Sequence, residues 1–174
     1  MTRRENVPAQ RSPLNQSLHS QQAMQGNPIV IRPAVTEELI DLRHVILRSG
    51  LPRELAYFEG DDEPTTRHVV AETDGRIVGC ATILRRDWKG TQAYQLRGMA
   101  VVDELQGRGI GSQLLAELER FVQDEGFTRQ LWCNARTPAA KFYEKHGWQI
   151  VSDEFHIKHA GPHVKMTRTL AGRS

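Results

Sequence analysis

Residues 99–121 read MAVVDELQGRGIGSQLLAELERF. An apolar, strand-like run gives way at Gln106 to glycines on alternate positions, Gly107, Gly109 and Gly111. Ile110, Leu114, Leu115, Leu118, Phe121 and Val122 then fall at helical spacing, and Gly126 ends the pattern. The stretch therefore encodes a strand, a short loop and an amphipathic helix. A helix N-terminus presents unpaired N–H groups and the positive end of the backbone dipole. Glycines before and within its first turn admit an anion to those amides, and Arg108 adds a charge beside them. The loop reads as a phosphate or pyrophosphate site.

Two common phosphate loops do not fit. A Walker loop requires a lysine immediately before Ser112, and a dinucleotide fingerprint begun at Gly107 requires a glycine at Ser112. What remains is the pattern Q-x-x-G-x-G on Gln106, Gly109 and Gly111.

Working outward, Ile29–Ile31 predicts a short strand closed by Arg32-Pro33, and Thr36 an N-cap before a helix carrying Leu39, Leu42, Val45 and Ile46. Asp74-Gly75 between apolar runs 68–73 and 76–84 predicts a tight hairpin. Strands are expected at 93–102, 129–134, 148–151 and 163–169, with a Gly161-Pro162 turn before the last. Thr137-Pro138 caps and starts a helix that Gly147 stops. The order is β-α-β-β-β-α-β-α-β-β, an α/β (α+β) domain at 28–174 with a parallel pair across the central right-handed crossover. Residues 1–27, rich in glutamine, serine and proline, read as a flexible extension.

Within the strand before the loop, Tyr94 and Leu96 share one face by alternation. Beyond Gly98 the larger apolar residues, Met99 and Val101, take the opposite parity. A phase slip at a glycine reads as a β-bulge.

Composition narrows the class. The chain has 174 residues, 23 basic against 21 acidic, and a formal charge of +2, which predicts no general attraction to nucleic acid or to anionic membrane. Cys80 and Cys133 lie in apolar stretches and read as buried free thiols. No run is long enough to span a bilayer and the N-terminus lacks a secretory h-region, so a cytoplasmic protein is expected. His156, His159 and His163 straddle a Gly-Pro turn without grouped acidic or thiol partners, and no metal is expected.

The Q-x-x-G-x-G loop with its strand and helix resembles the first signature of the GNAT superfamily of N-acetyltransferases. Residues 139–148, AAKFYEKHGW, are similar to a second, a helix ending in FYEK-x-G-aromatic. The resemblance implies a mixed, mostly antiparallel sheet with a central splayed parallel pair flanked by helices, and acetyl-CoA as co-substrate. It implies that Gln106, Gly107, Arg108, Gly109, Ile110, Gly111 and Ser112 hold the pyrophosphate. Met99, Ala100 and Val101 then run beside the pantetheine, and an amide near Ala100 or Val101 polarises the carbonyl. Ala140 would let the cofactor pass close to the helix. Asn134 could bond the pantetheine amides, although the family's asparagine position falls on Arg136, which could contact the cofactor instead.

Acetyl transfer needs a neutral amine and a protonated leaving thiolate. A thiol titrates near ~8.5 and a phenol near ~10, so a tyrosine can serve as the acid. The resemblance assigns that role to Tyr143. Glu154, His156 and Glu104 are candidate bases. The acceptor side would draw on Arg43, Arg48, Tyr57, Arg97, Glu154 and His163. Arginines there suit an acceptor bearing carboxylate or phosphate, or else pair with Asp61, Asp62 and Glu63. The expected activity is N-acetylation of a primary amine on a small molecule in a ternary complex, with a non-catalytic CoA-binding module as the alternative. Homodimers are common among the proteins it resembles.

Overall fold

Asp74 and Gly75 both take positive φ, 52° and 69°, and join two strands in a two-residue turn with Thr73 facing Arg76. These strands are β2 (Arg67–Thr73) and β3 (Arg76–Arg85), the first hairpin of a sheet completed by β1 (Val30–Ala34), β4 (Tyr94–Val101), β5 (Gln130–Arg136), β6 (Gln149–Ile150), β7 (Phe155–Ile157) and β8 (Gly161–Thr169). The computed structural model describes residues 27–172, so all but Asn27 of the expected extension lies outside the described residues. The sheet runs β1-β2-β3-β4-β5-β8-β6, with β7 also on β8. Among the described residues every pairing is antiparallel except β4 with β5, the pair that flanks the central helix.

Among the described residues three α-helices cover the sheet: α1 (Thr36–Leu47), α2 (Ile110–Glu125) and α3 (Ala140–Lys145). On β3, Gly79 and Thr82 point to opposite faces by alternation. Gly79 packs under Ile110 and Leu114 of α2, whereas Thr82 accepts a hydrogen bond from Arg43 of α1 at 2.6 Å. The two helices therefore lie on opposite faces. The apolar stripe of α2 expected from its spacing is buried at Ile110, Leu114, Leu115, Leu118 and Val122.

The phase slip at Gly98 is a β-bulge. Cys80 faces Ala100 and Thr82 faces Arg97, so β4 takes three steps (100 to 97) where β3 takes two (80 to 82). Leu96 faces Ile83 and Val101 faces Gly79, which keeps Leu96 and Val101 on the α2 side despite their opposite parity. Gly98 itself sits at φ 60°. A side chain there would meet Arg43 Nε at 2.9 Å and the Phe58 ring at 3.1 Å.

Several local expectations are corrected. Val35, not Thr36, is the N-cap of α1; Glu38 accepts the Val35 N–H at 3.0 Å, while the Thr36 hydroxyl donates to Asp62 at 2.6 Å. Thr137 opens a 3₁₀ turn, Thr137–Ala139, before α3, and its hydroxyl donates to Glu154 at 2.8 Å instead of capping. β1 continues through Pro33, tolerable because it is the sheet edge. Gly161 and Pro162 begin β8, and β7, which the sequence did not suggest, occupies the segment before the turn.

Replacing Gly98 with alanine forces a side chain into the left-handed region and against a buried guanidinium. Equilibrium denaturation of Gly98→Ala is expected to show a loss of roughly 1–3 kcal/mol, and unchanged stability would contradict the bulge geometry.

Candidate active site

Parallel pairing of β4 and β5 covers Tyr94–Leu131, Gln95–Trp132 and Leu96–Cys133. Beyond that point the bulge carries β4 away, while β5 stays on β8 as far as Arg136–His163. The strands splay, and cavities open on both sides of the gap. A groove of about 720 Å³ runs along β4 to the start of α2, and a smaller cavity of about 320 Å³ lies between the end of α1, β4, β5 and β8. Met99, Arg136, Ala139 and Tyr143 line both, so the two meet at these residues.

The groove ends at the glycine loop. Gly109 is the N-cap of α2 at φ 81°, and among the described residues no side chain caps this terminus. Cβ positions at Gly107 and Gly109 have nothing within 4 Å, so the loop backbone stands open. Gly111 serves differently. A Cβ there would come within 3.3 Å of Met99 and Phe142, so its bareness lets α2 pack against the bulge and α3. Gln106 donates to Val101 O and to Asp103 Oδ1, both at 3.0 Å, fixing the loop onto the end of β4. The Ser112 hydroxyl meets His146 Nε2 at 2.9 Å, and His146 Nδ1 meets the Phe142 carbonyl at 2.8 Å, tying α2 to α3.

Backbone alternation identifies the free amide in the gap. Val102 N–H donates to Val78 O on β3 at 2.9 Å, so the N–H of Val101 points the other way, off β3. By the same alternation the Ala100 amide points at β3, where Ala100 faces Cys80, whose thiol donates to Gly98 O at 3.4 Å. Of the two expected donors, Val101 is the one left available.

Other expected residues are distributed unevenly. Met99, Ala100, Val101, Gln106, Gly107, Gly109, Ile110, Gly111, Ser112 and Arg136 line the groove. Arg108 is exposed and lies outside its lining. Ala140 turns into the core, and Pro138 and Ala139 line the groove in its stead, because the 3₁₀ turn shifts which alanine faces outward. Asn134 lines the smaller cavity, where its buried Oδ1 lacks a protein partner. Glu154 is exposed, bonded by Thr137 and outside both cavities. His156 and Glu104 are exposed too, Glu104 pairing with Arg76 at 3.0 Å. Arg43 is buried beneath the bulge on Asp61, and Tyr57 lines neither cavity. Sequence reading missed Phe142, Lys145 and His146 in the groove; their i, i+3 and i+4 spacing was the available signal.

Tyr143 stands where the cavities join, 7% exposed, its hydroxyl donating to Met99 Sδ at 3.5 Å. Thioether sulfur is a weak acceptor, so this bond is readily exchanged. Burial pushes the phenol well above its ordinary pKa, and it stays protonated at neutral pH. Cys133 lines the smaller cavity, but burial raises its thiol to about 12, leaving little thiolate to act as a nucleophile. His163, also in that wall, is held by Gly161 O at 2.8 Å from Nδ1. A carbonyl can only accept, so Nδ1 carries the proton and Nε2 the lone pair. Burial, then the neighbouring Arg136 and Arg48, lower its pKa and keep the ring neutral.

Known proteins share this fold. Residues 34–148 match the acetyltransferase (GNAT) family. An uncharacterized N-acetyltransferase of Bacillus subtilis, YitI, is 28% identical over 143 residues, 80% of this chain and 95% of the relative. Among solved structures, a GNAT acetyltransferase from Streptococcus pneumoniae superposes with a TM-score of 0.63 at 23% identity, covering 83% of this chain and 100% of the other. An aminoglycoside 6′-N-acetyltransferase solved with coenzyme A gives 0.61 at 19% identity, covering 83% and 99%. A family match across the sheet's centre, with a relative matched over nearly its whole length, makes this chain a member of the GNAT acetyltransferase family, an enzyme that moves an acyl group from coenzyme A to an amine.

Proposed function

We propose that the chain is an acetyl-CoA-dependent N-acetyltransferase acting on a small primary amine by direct transfer, with Tyr143 as general acid. The observation that carries this reading is the meeting of two cavities at Met99 and Tyr143, one ending on an uncapped helix start and the other closed by side chains. The groove's features fit coenzyme A: open backbone at Gly107 and Gly109 suits a pyrophosphate, and the unpaired edge of β4 suits an extended chain with amides. The aminoglycoside 6′-N-acetyltransferase of similar fold was solved complexed with coenzyme A, which supports coenzyme A as the ligand class.

When bound, acetyl-CoA supplies the thioester whose C–S bond the amine displaces. Val101 N–H polarises the carbonyl from the splayed edge of β4. Tyr143 gives its proton to the departing sulfur, for which Met99 Sδ holds the place in the free protein. His163 Nε2 takes a proton from the amine, directly or through water, so one proton enters and one leaves per turnover. Asn134 Oδ1 accepts from an amide N–H of the pantetheine or of the acceptor, satisfying an otherwise orphaned buried oxygen.

Tyr143→Phe is expected to lower kcat by about 10²-fold while calorimetry shows the Kd for coenzyme A within about twofold; undiminished kcat would remove the tyrosine from the chemistry. In the pH profile, log kcat/KM should rise with unit slope from the acceptor's own ammonium. That slope should steepen by one unit below pH 6.5, the ordinary imidazole value from which His163 is lowered. His163→Gln should keep the first slope and lose the second; persistence of both would exclude His163 as base. Neither cysteine should react with a thiol reagent at pH 8 until the protein is unfolded, since burial raises Cys80 to about 11 and Cys133 to about 12. Rapid native labelling together with ping-pong kinetics would favour an acyl-cysteine route instead.

A further inference from the structure

The charged residues lining the smaller cavity are Arg48, Arg97 and Arg136, with His163 beside them and no carboxylate in the wall. Two neighbouring arginines do find acids: Arg43 pairs with Asp61 and Arg86 with Glu63. None of the three cavity arginines has an ion-pair partner among the described residues. Instead, Arg48 Nη1 and Arg136 Nη2 both donate to one carbonyl, Leu47 O, each at 2.9 Å, which brings two guanidiniums together at the end of α1. Burial and the mutual proximity of these cations lower the pKa of Arg48, and burial lowers that of Arg97, although Asp61 and Glu59 act against it. Positive charge without an ion-pair partner in a partly dry cavity is costly unless an anion arrives.

The arginines are also held in place. Guanidinium carbons of Arg48 and Arg97 lie 4.9 and 5.2 Å from the Phe58 ring centre, and Arg43 lies 4.5 Å away. Phe58 is in turn anchored by its own N–H, which donates to Asp61 at 2.8 Å. Arg43 takes the nearest acid, Asp61, in a two-pronged grip at 2.6 and 3.2 Å. Stacked guanidiniums leave their in-plane N–H edges for an oxyanion. At about 320 Å³ the cavity stands at the low end of small-ligand sites, and Leu47, Leu96, Ala135 and Ile157 give it an apolar body.

We infer that the acceptor is an anionic amine of amino-acid size, whose carboxylate or phosphate is bound by Arg48, Arg97 and Arg136 while its amino group reaches Tyr143. This rests on the acetyltransferase reading above and narrows its substrate class. Polyamines and large aminosugars are unsuited to such a wall, because like charge and limited volume oppose them.

The test uses the full chain with acetyl-CoA and matched amines: phenylalanine, its amide and phenethylamine; glutamate and its diamide; phosphoethanolamine and ethanolamine. Thiol release is expected to favour the anionic member of a set by about 10²-fold or more in kcat/KM. The carboxylate and phosphate sets then tell the two oxyanions apart. Arg97→Gln and Arg48→Gln should erase that preference, bringing the ratio of anionic to neutral kcat/KM to about 1 while the Kd for coenzyme A is unchanged. Preference for neutral or polycationic amines overturns the inference, as does a raised Kd for coenzyme A with the preference intact. If no amine in the panel reacts, calorimetry of N-acetylphenylalanine and N-acetylphosphoethanolamine against the coenzyme-bound protein decides: binding of either that is lost on removing its charge supports the site, and no binding of either sinks it. Failure of coenzyme A itself to bind would instead overturn the acetyltransferase reading.

Discussion

The buried ion pair of Arg43 with Asp61, directly behind the bulge at Gly98, is the constraint on which the rest of the site depends. Arg43 is fully buried and bonds Asp61, Thr82 and the Ala56 carbonyl, while its Nε faces the bare Gly98. A charge so placed is tolerable because Asp61, Thr82 and the Ala56 carbonyl take its Nη donors, Nε alone lacking a hydrogen-bond partner; removing one partner from such a pair typically costs roughly 3–5 kcal/mol. The pair links α1, the loop at 58–61 and β3, so the helix bordering the smaller cavity is fixed relative to the bulge that opens it. Opening β4 from β5 is thus part of the packed core, not a fluctuation at its edge.

From this constraint the site follows in layers. The bulge swings β4 away after Leu96 and turns the Val101 amide off the ladder. Met99, set in the bulge, reaches Tyr143 on one side and closes on Gly111 on the other. That contact requires α2 to start close to the strand, which brings the uncapped amides of residues 110–112 to the end of the groove. Tyr143 is positioned by Phe142 and Trp148, whose rings lie 5.1 and 5.6 Å away. Tyr143, the Val101 amide and the helix start are therefore not independent features.

Charge distinguishes the two cavities that meet at Tyr143. The nearly balanced composition leaves any role for basic residues to local clusters, and the smaller cavity holds one, of Arg48, Arg97 and Arg136. Phe58 gathers three guanidiniums around one ring, but among the described residues only Arg43 of the three forms an ion pair. In the proposed reading the same ring serves stability through Arg43 and recognition through Arg48 and Arg97.

Local patterns carried much of this in the sequence. The hairpin at Asp74-Gly75, the stripe of α2, the glycine loop and the phase slip at Gly98 each depend on residues close together in the chain, where a period or a turn preference acts alone. Motif resemblance likewise singled out Tyr143, which the structure puts where the two cavities meet. Tertiary structure decided what depends on distant partners. Thr36 and Thr137 have good capping chemistry, yet acids far along the chain claim their hydroxyls. Glu154 and His163 looked alike as cleft residues; only the register of β8 on β5 put His163 inside and left Glu154 in solvent. Arg43 could not be told from Arg48 or Arg97 by sequence, because pairing with Asp61 is fixed by how α1 crosses the sheet. Local residue order determined the elements and the glycine loop, whereas long-range packing alone determined which arginines are paired with acids and which line a cavity without such a partner.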